Sequence, residues 1–316
     1  MPIAAVWGAT GYIGSQLVSA LINSGWQVKV LVRDVDSLPS DWANHVEKHQ
    51  ITFQSSVQEI SNALQGARLV YCCAGSTNHE VYADDYVLAS ESVMHSAINC
   101  GVERVVMLST VAVYGKTSAK AITTDFPLNS KTVYGKARIA SEKALISLAT
   151  DSPIQLCIVR IPMVIGIGMS SKALQSLFRS FFFGIFFHPG TKDSVLNCIG
   201  ISRLTDILLK LSDAKLSQVV TLLQFCDNVQ WVKIVALYSS LTHIKILRIP
   251  CSARLLKLLV SLFFAPSSMK SKVEVLANQT HFYDNSSQLL LGNRQTPSTL
   301  EDIAAYITFI KLTPAE

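Results

Sequence analysis

The run Ile3-Ala-Ala-Val-Trp7 leads directly into Gly8-Ala-Thr-Gly11-Tyr-Ile-Gly14, and this short stretch decides the fold. An uncharged run that stops at a glycine predicts a parallel strand buried on both faces. The three glycines have different duties. Gly8 permits the tight bend out of the strand, Gly11 lets backbone approach a pyrophosphate, and Gly14 lets the next helix lie close to the strand. That helix is predicted from about Ser15 to Asn23, with Leu17, Leu21 and Ile22 on one face and Gly25 closing it. Its N-terminus offers unpaired N–H groups and a partial positive charge, which suit a phosphate.

Working outward, Val28–Val32 is the second strand. The residue at its end reads the adenosine ribose: a carboxylate takes the 2′-hydroxyl of NAD, and a cation takes the 2′-phosphate of NADP. Here Val32 is followed by Arg33 and Asp34, which favours NADP through Arg33, with Asp34 on an NAD ribose as the alternative. Arg68–Cys73 is a further strand, followed by a helix over Tyr86–Asn99, a strand over Arg104–Ser109, a helix over Val133–Ala149 and a strand over Gln155–Val159. This alternation predicts an α/β fold, a doubly wound parallel (Rossmann) sheet over residues 1–165. Beyond Gly168 the alternation weakens. Residues 166–316 then read as a smaller α/β C-terminal lobe, with strand-like pieces at Val219–Leu223 and Ile244–Leu247.

Composition narrows the function. The net charge of +5 is not gathered into a stripe, so no nucleic-acid partner is expected. Charged residues make up 16%, well below the about 25% of ordinary soluble domains, and mean hydropathy is +0.34. Such an apolar chain needs an interface, a lipid-linked substrate or a membrane surface to account for it. The apolar stretches Phe181–Phe187 and Leu255–Phe264 fall short of the about 20 residues that a span requires. No transmembrane segment or export signal is expected, and a cytoplasmic location follows from that reading. The seven cysteines lack CxxC spacing and the seven histidines lack metal-ligand spacing, so no metal is expected.

The motifs resemble those of the extended short-chain dehydrogenase/reductase family, particularly its nucleotide-sugar epimerases, dehydratases and reductases. Gly8–Gly14 matches that family's GxxGxxG, and Ala74-Gly75 its small pair beside the adenosine. Ser109-Thr-Val-Ala-Val-Tyr-Gly115 is similar to SSxxVYG, Tyr134-Gly-Lys-Ala-Arg138 falls at YxxxK, and Arg160-Ile-Pro-Met-Val-Ile-Gly166 is similar to RPxxVYG. Leu291–Pro297 with Ser298–Glu301 resembles the family's LGxxP-xxxLEE tail. The resemblance implies cofactor contacts from Gly8, Thr10, Gly11, Tyr12, Ile13, Gly14, Arg33, Ala74, Gly75, Tyr134, Arg138 and Pro162. It implies catalysis by Thr110, Tyr134 and Arg138.

The chemistry follows from residue types. Hydride transfer at a carbinol carbon needs a group to move the hydroxyl proton, and tyrosine can do so beside a cation that favours its phenolate. Tyr134 and Arg138 share a helix face. Three departures stand out: Arg138 replaces the lysine, Tyr86 falls where an asparagine supports that lysine, and Ser55 or Ser56 replaces an adenine-side aspartate. Arginine keeps the charge but cannot exchange a proton. Lys136 points to another side of the helix.

The expected function is an NAD(P)-dependent epimerase, dehydratase or reductase on a nucleotide-linked sugar, with a lipid-linked sugar and surface-polysaccharide assembly as its finer expectations. A catalytically weakened regulatory or scaffold protein, and a steroid- or lipid-type reductase, are the alternatives. Arg179, His188, Lys192 and Arg203 are candidates to meet a diphosphate. Peripheral membrane contact and a homodimer are left open.

Overall fold

The computed structural model describes residues 1–42, 44–75, 83–169, 171–189, 194–216, 219–251, 280–283 and 296–313. In chain order the elements are β1 (Ile3–Trp7), α1 (Tyr12–Asn23), β2 (Gln27–Val32), β3 (Val46–Gln50), α2 (Val57–Leu64), β4 (Leu69–Cys72), α3 (Ala83–Asn99) and β5 (Arg104–Thr110). Then come β6 (Ala121–Ile122), α4 (Val133–Thr150), β7 (Gln155–Ile161), β8 (Met163–Ile165), α5 (Lys172–Ser180), β9 (Ile185–Pro189), β10 (Val195–Gly200) and α6 (Ile201–Lys210). The last are β11 (Val220–Gln224), β12 (Asp227–Gln230), α7 (Trp231–Thr242), β13 (Leu247–Cys251), β14 (His281–Phe282) and α8 (Thr299–Leu312).

Seven strands form one parallel sheet in the order β3-β2-β1-β4-β5-β7-β11. The predicted doubly wound sheet is therefore present. Its strand order reverses between β1 and β4, and the crevice at their carboxyl ends is where such sheets bind ligands. The glycine turn leaves β1 at that point. One apolar layer sets Leu17, Val18 and Leu21 of α1 beside Leu204, Ile207 and Leu208 of α6. The opposite layer packs Ile60 of α2, Val93 and Met94 of α3, and Leu145 of α4.

The sequence places Val219–Leu223 in the second lobe, and the structure does not. As β11 it extends the main sheet beside β7, in register from Val220 opposite Leu156 to Gln224 opposite Arg160. Its apolar residues carry no mark of which sheet they join. The piece expected at Ile244–Leu247 begins only at Leu247, where β13 pairs with β9. Strand β3 was not foreseen: Val46-Glu-Lys-His-Gln50 is a polar edge strand with no buried residue, so it lacks the pattern that betrays a central strand.

A separate apolar cluster forms around Phe178, Phe181, Trp231, Tyr238, Ile303 and Tyr306, joined by the three-stranded sheet β12-β10-β8. Helix α8 opens with a capping box, Ser298 and Glu301, inside the tail motif. The Phe181–Phe187 run becomes a 3-10 turn and β9. Phe181 and Phe186 enter the core, while Phe183 is 85% exposed. Leu255–Phe264 and Leu291–Gln295 lie outside the described residues. Among those described, no helix is long and apolar enough to cross a membrane, and no cluster of metal-ligating side chains occurs.

Candidate functional site

Three carboxyl-edge segments meet at the switch point: the glycine turn, the end of β4 and the end of β5 with the start of α4. Gly8 has φ +82°, a left-handed conformation that disfavours any side chain, and a Cβ there would lie 2.6 Å from the Ala74 backbone. A Cβ on Gly14 would lie 2.2 Å from the Gly8 carbonyl oxygen. The turn is thus folded tightly against the backbone of Cys73 and Ala74. Gly11 caps α1 without a side-chain hydrogen bond, and the first turn has no acidic residue. The first-turn N–H groups and the dipole of α1 suit the pyrophosphate of a dinucleotide.

The other predicted contacts scatter. Thr10 and Gly11 are exposed and Ile13 is half-buried at the turn. Tyr12 packs against the apolar cluster around Phe178 and Trp231, beside Gly166 and Gly168. Its hydroxyl is buried with no hydrogen-bond partner among the described residues, and burial drives its pKa up. Pro162 is buried just after β7. Arg33 is exposed at the end of β2. Asp34 is committed to its own loop, its carboxylate accepting from the Asp36 N–H at 3.0 Å. Ser56, at the position of the missing aspartate, caps α2 in a box with Glu59.

At the end of β5, the Thr110 hydroxyl accepts from the Ala112 N–H at 3.2 Å and turns the chain into a 3-10 helix. Thr132 caps α4 by accepting from the Gly135 N–H at 3.1 Å. A Cβ on Gly135 would lie 2.0 Å from the Ser130 hydroxyl oxygen and 3.0 Å from the Ala112 carbonyl oxygen. Glycine at 135 is what lets the first turn of α4, carrying Tyr134, press on the loop that follows Thr110.

One turn further on, Arg138 is buried and not a surface arginine, whereas Lys136 is exposed. The Arg138 guanidinium carbon lies 4.0 Å from the centroid of the Tyr86 ring and 5.3 Å from that of Tyr134. It donates to the Tyr86 hydroxyl and, at 3.1 Å, to the Leu108 carbonyl. Burial works against its charge, but the Tyr86 and Tyr134 side chains outweigh it and raise its pKa. Tyr86 itself is pushed up by burial, with Arg138 opposing.

Beneath these groups lies a buried ion pair that sequence reasoning missed. Arg160 of β7 donates to Glu142 of α4 at 2.7 Å, with side chains only 3% and 1% exposed. Ser109 of β5 also donates to Glu142, and Arg160 donates to the Tyr114 hydroxyl at 3.0 Å. Tyr114 in turn donates to Gln224 of β11 at 2.5 Å. A charged residue inside the apolar run Gln155–Ile161, and another four residues after Arg138, were the available signals. Arg203, a candidate for a diphosphate, pairs instead with Asp227 at 3.1 Å. Arg179 is exposed, the His188 side chain is not described, and Lys192 lies outside the described residues.

Residues 4–181, more than half of the chain, match the profile of the NAD dependent epimerase/dehydratase family. Among curated proteins, the UDP-glucose 4-epimerase of Bacillus subtilis is 26% identical over 161 residues, 46% of this chain and 47% of that protein. The chain spans only 33% to 55% of the length of the curated relatives it matches. Among solved structures, MoeE5 in complex with UDP-glucuronic acid and NAD superposes with a TM-score of 0.75 at 21% identity, covering 98% of this chain and 99% of that one. The UDP-glucuronic acid 4-epimerase from Bacillus cereus in complex with NAD gives 0.72 at 14% identity, covering 99% and 100%. At such identities the structural likenesses establish the fold.

Proposed function

The chain belongs to the NAD dependent epimerase/dehydratase family, and from that premise we propose that it is an enzyme acting on a nucleotide-linked sugar with a nicotinamide cofactor. The observations that carry this reading are the tight glycine turn at the carboxyl end of β1 and Tyr134 in the first turn of α4, which Gly135 lets press against the Thr110 loop. The cradle N–H groups hold the pyrophosphate, with Ala74 and Gly75 beside the adenosine. A nicotinamide bound there would supply hydride exchange with a carbinol carbon. Tyr134 takes and returns the hydroxyl proton, Thr110 hydrogen-bonds the substrate oxygen, and Arg138 supplies a fixed positive charge. Arg138 in place of lysine makes the site atypical, because a guanidinium keeps its proton.

NADP is proposed over NAD because Arg33 is exposed at the end of β2 while the Asp34 carboxylate is engaged in its loop. Titration with NADH and NADPH tests this: Arg33→Ser weakens NADPH about tenfold and leaves NADH unchanged. Equal affinity of the parent protein for both cofactors overturns it. Peripheral membrane contact, with a lipid-linked sugar, is proposed from the exposed apolar ribbon of Ile185, Phe187, Leu247 and Ile249 on β9 and β13. A homodimer and a role in surface-polysaccharide assembly complete the proposal.

The direct experiment incubates the protein with NAD or NADP and a panel of nucleotide sugars, following products by NMR. Turnover lost on Tyr134→Phe supports the reading. No turnover across the panel despite tight cofactor binding favours the second reading, a cofactor-binding protein of weakened catalysis, for which the arginine at 138 speaks.

A further inference from the structure

Two departures from the family pattern, Arg138 for lysine and Tyr86 for asparagine, sit on different helices 52 residues apart and touch each other. Each would be harmful alone. A buried guanidinium needs partners for several N–H groups, and a buried phenol needs one for its hydroxyl. Together they satisfy one another: the Tyr86 ring lies under the guanidinium at 4.0 Å and the Tyr86 hydroxyl accepts its N–H. The Leu108 carbonyl takes a second N–H at 3.1 Å. Space for the longer side chain comes from Gly75, where a Cβ would approach Arg138 Nη2 to 3.0 Å.

The phenol is in turn immobilised. Its ring stacks on Trp7 at 6.3 Å with an interplanar angle of 8°, and stands edge-on to Phe53 at 6.0 Å. Trp7 ends the strand that leads into the glycine turn. A continuous aromatic-cation column therefore runs from Trp7 through Tyr86 and Arg138 to Tyr134. Neither Tyr86 nor Arg138 exchanges protons readily. Arginine stays charged, and burial pushes the Tyr86 phenol up.

We infer that Tyr86 is a positioning residue that holds Arg138 as a fixed cation against Tyr134, so that the two departures form one working unit. The inference rests on the proposed role of Tyr134. Its content is coupling: asparagine at 86 serves a lysine, tyrosine at 86 serves an arginine, and mixed pairs serve neither.

A double-mutant cycle on the full chain tests it, using Tyr86→Asn, Arg138→Lys and the double variant, with Tyr86→Phe as the conservative change. Each single variant is expected to lower kcat about 100-fold, with KM moving less than about threefold. The double variant should recover to within about tenfold of the parent. Tyr86→Phe keeps the ring and loses one hydrogen bond to a charged group, lowering kcat about tenfold. It also shifts the acid limb of the kcat profile to higher pH, which a merely structural loss does not do. Losses that multiply in the double variant, or a Tyr86→Phe protein with the parent's kcat and pH profile, overturn the inference. If the parent turns over no nucleotide sugar, the cycle is read from NADH affinity and the thermal midpoint. Non-additive changes in both then support the coupled unit, and additive changes in either reject it.

Discussion

Tyr134 and Gly14 carry the two residue-scale expectations. Removing the Tyr134 hydroxyl leaves the ring beside Arg138, so Tyr134→Phe should lower kcat at least about 100-fold. Cofactor affinity should stay within about threefold of the parent, as measured by fluorescence titration. Gly14→Ala has a steric cause: its Cβ would meet the Gly8 carbonyl oxygen at 2.2 Å, a backbone atom that cannot swing aside as a side chain could. The turn must open, which should cost about 1–3 kcal/mol in chemical denaturation and abolish cofactor binding together. A Gly14→Ala protein that unfolds like the parent and binds NADH would remove the glycine cradle from the reading. Gly14 was visible in the sequence because backbone geometry restricts the position to glycine, and Tyr134 because it stands one helical turn before a cation in a YxxxK-like spacing. Tyr86 was visible only as an irregularity, since contact between α3 and α4 has no signature in a single chain.

Helix α4 is tied to its neighbours by charge as well as by apolar packing. Glu142 takes hydrogen bonds from Ser109 of β5 and Arg160 of β7, four residues after Arg138 on the same helix. That fixes the height of Tyr134 over the end of β5. Glu142→Gln leaves the Arg160 guanidinium buried without its counter-charge, and should destabilise the protein by about 3–5 kcal/mol in urea titrations. In α8, Asp302 accepts from the Ser202 N–H at 3.1 Å and hydroxyl at 2.7 Å, while burial raises its pKa. A raised carboxyl pKa means that its contribution is full in acid and is lost as pH rises through the carboxylate range. Asp302→Asn should therefore cost more stability at about pH 4 than at about pH 7. An equal cost at both values would contradict it. Elements with one apolar period, such as α1 and β5, were legible in the sequence. The polar edge strand β3 and the pairing partner of β11 were not, because sheet edges are chosen by tertiary contact and not by pattern.

At the scale of the whole molecule, the main sheet is not built from one continuous length of chain. Its seventh strand arrives from residues 220–224, after an excursion through β8, α5, β9, β10 and α6. Helix α6 belongs to that excursion and yet covers the same sheet face as α1. A fragment ending at residue 165 keeps six strands but lacks both β11 and α6. It should show no cooperative thermal unfolding and should precipitate where the full chain stays in solution. A soluble, cooperatively melting fragment would mean that β7 tolerates an open edge. The same arrangement sets a schedule for synthesis. Strand β7 leaves the ribosome about 60 residues before its partner, which at about 5–20 residues per second leaves its hydrogen-bonding edge bare for roughly 3–12 s. In that interval the emerging polypeptide is a client for whatever chaperone shields unpaired strands.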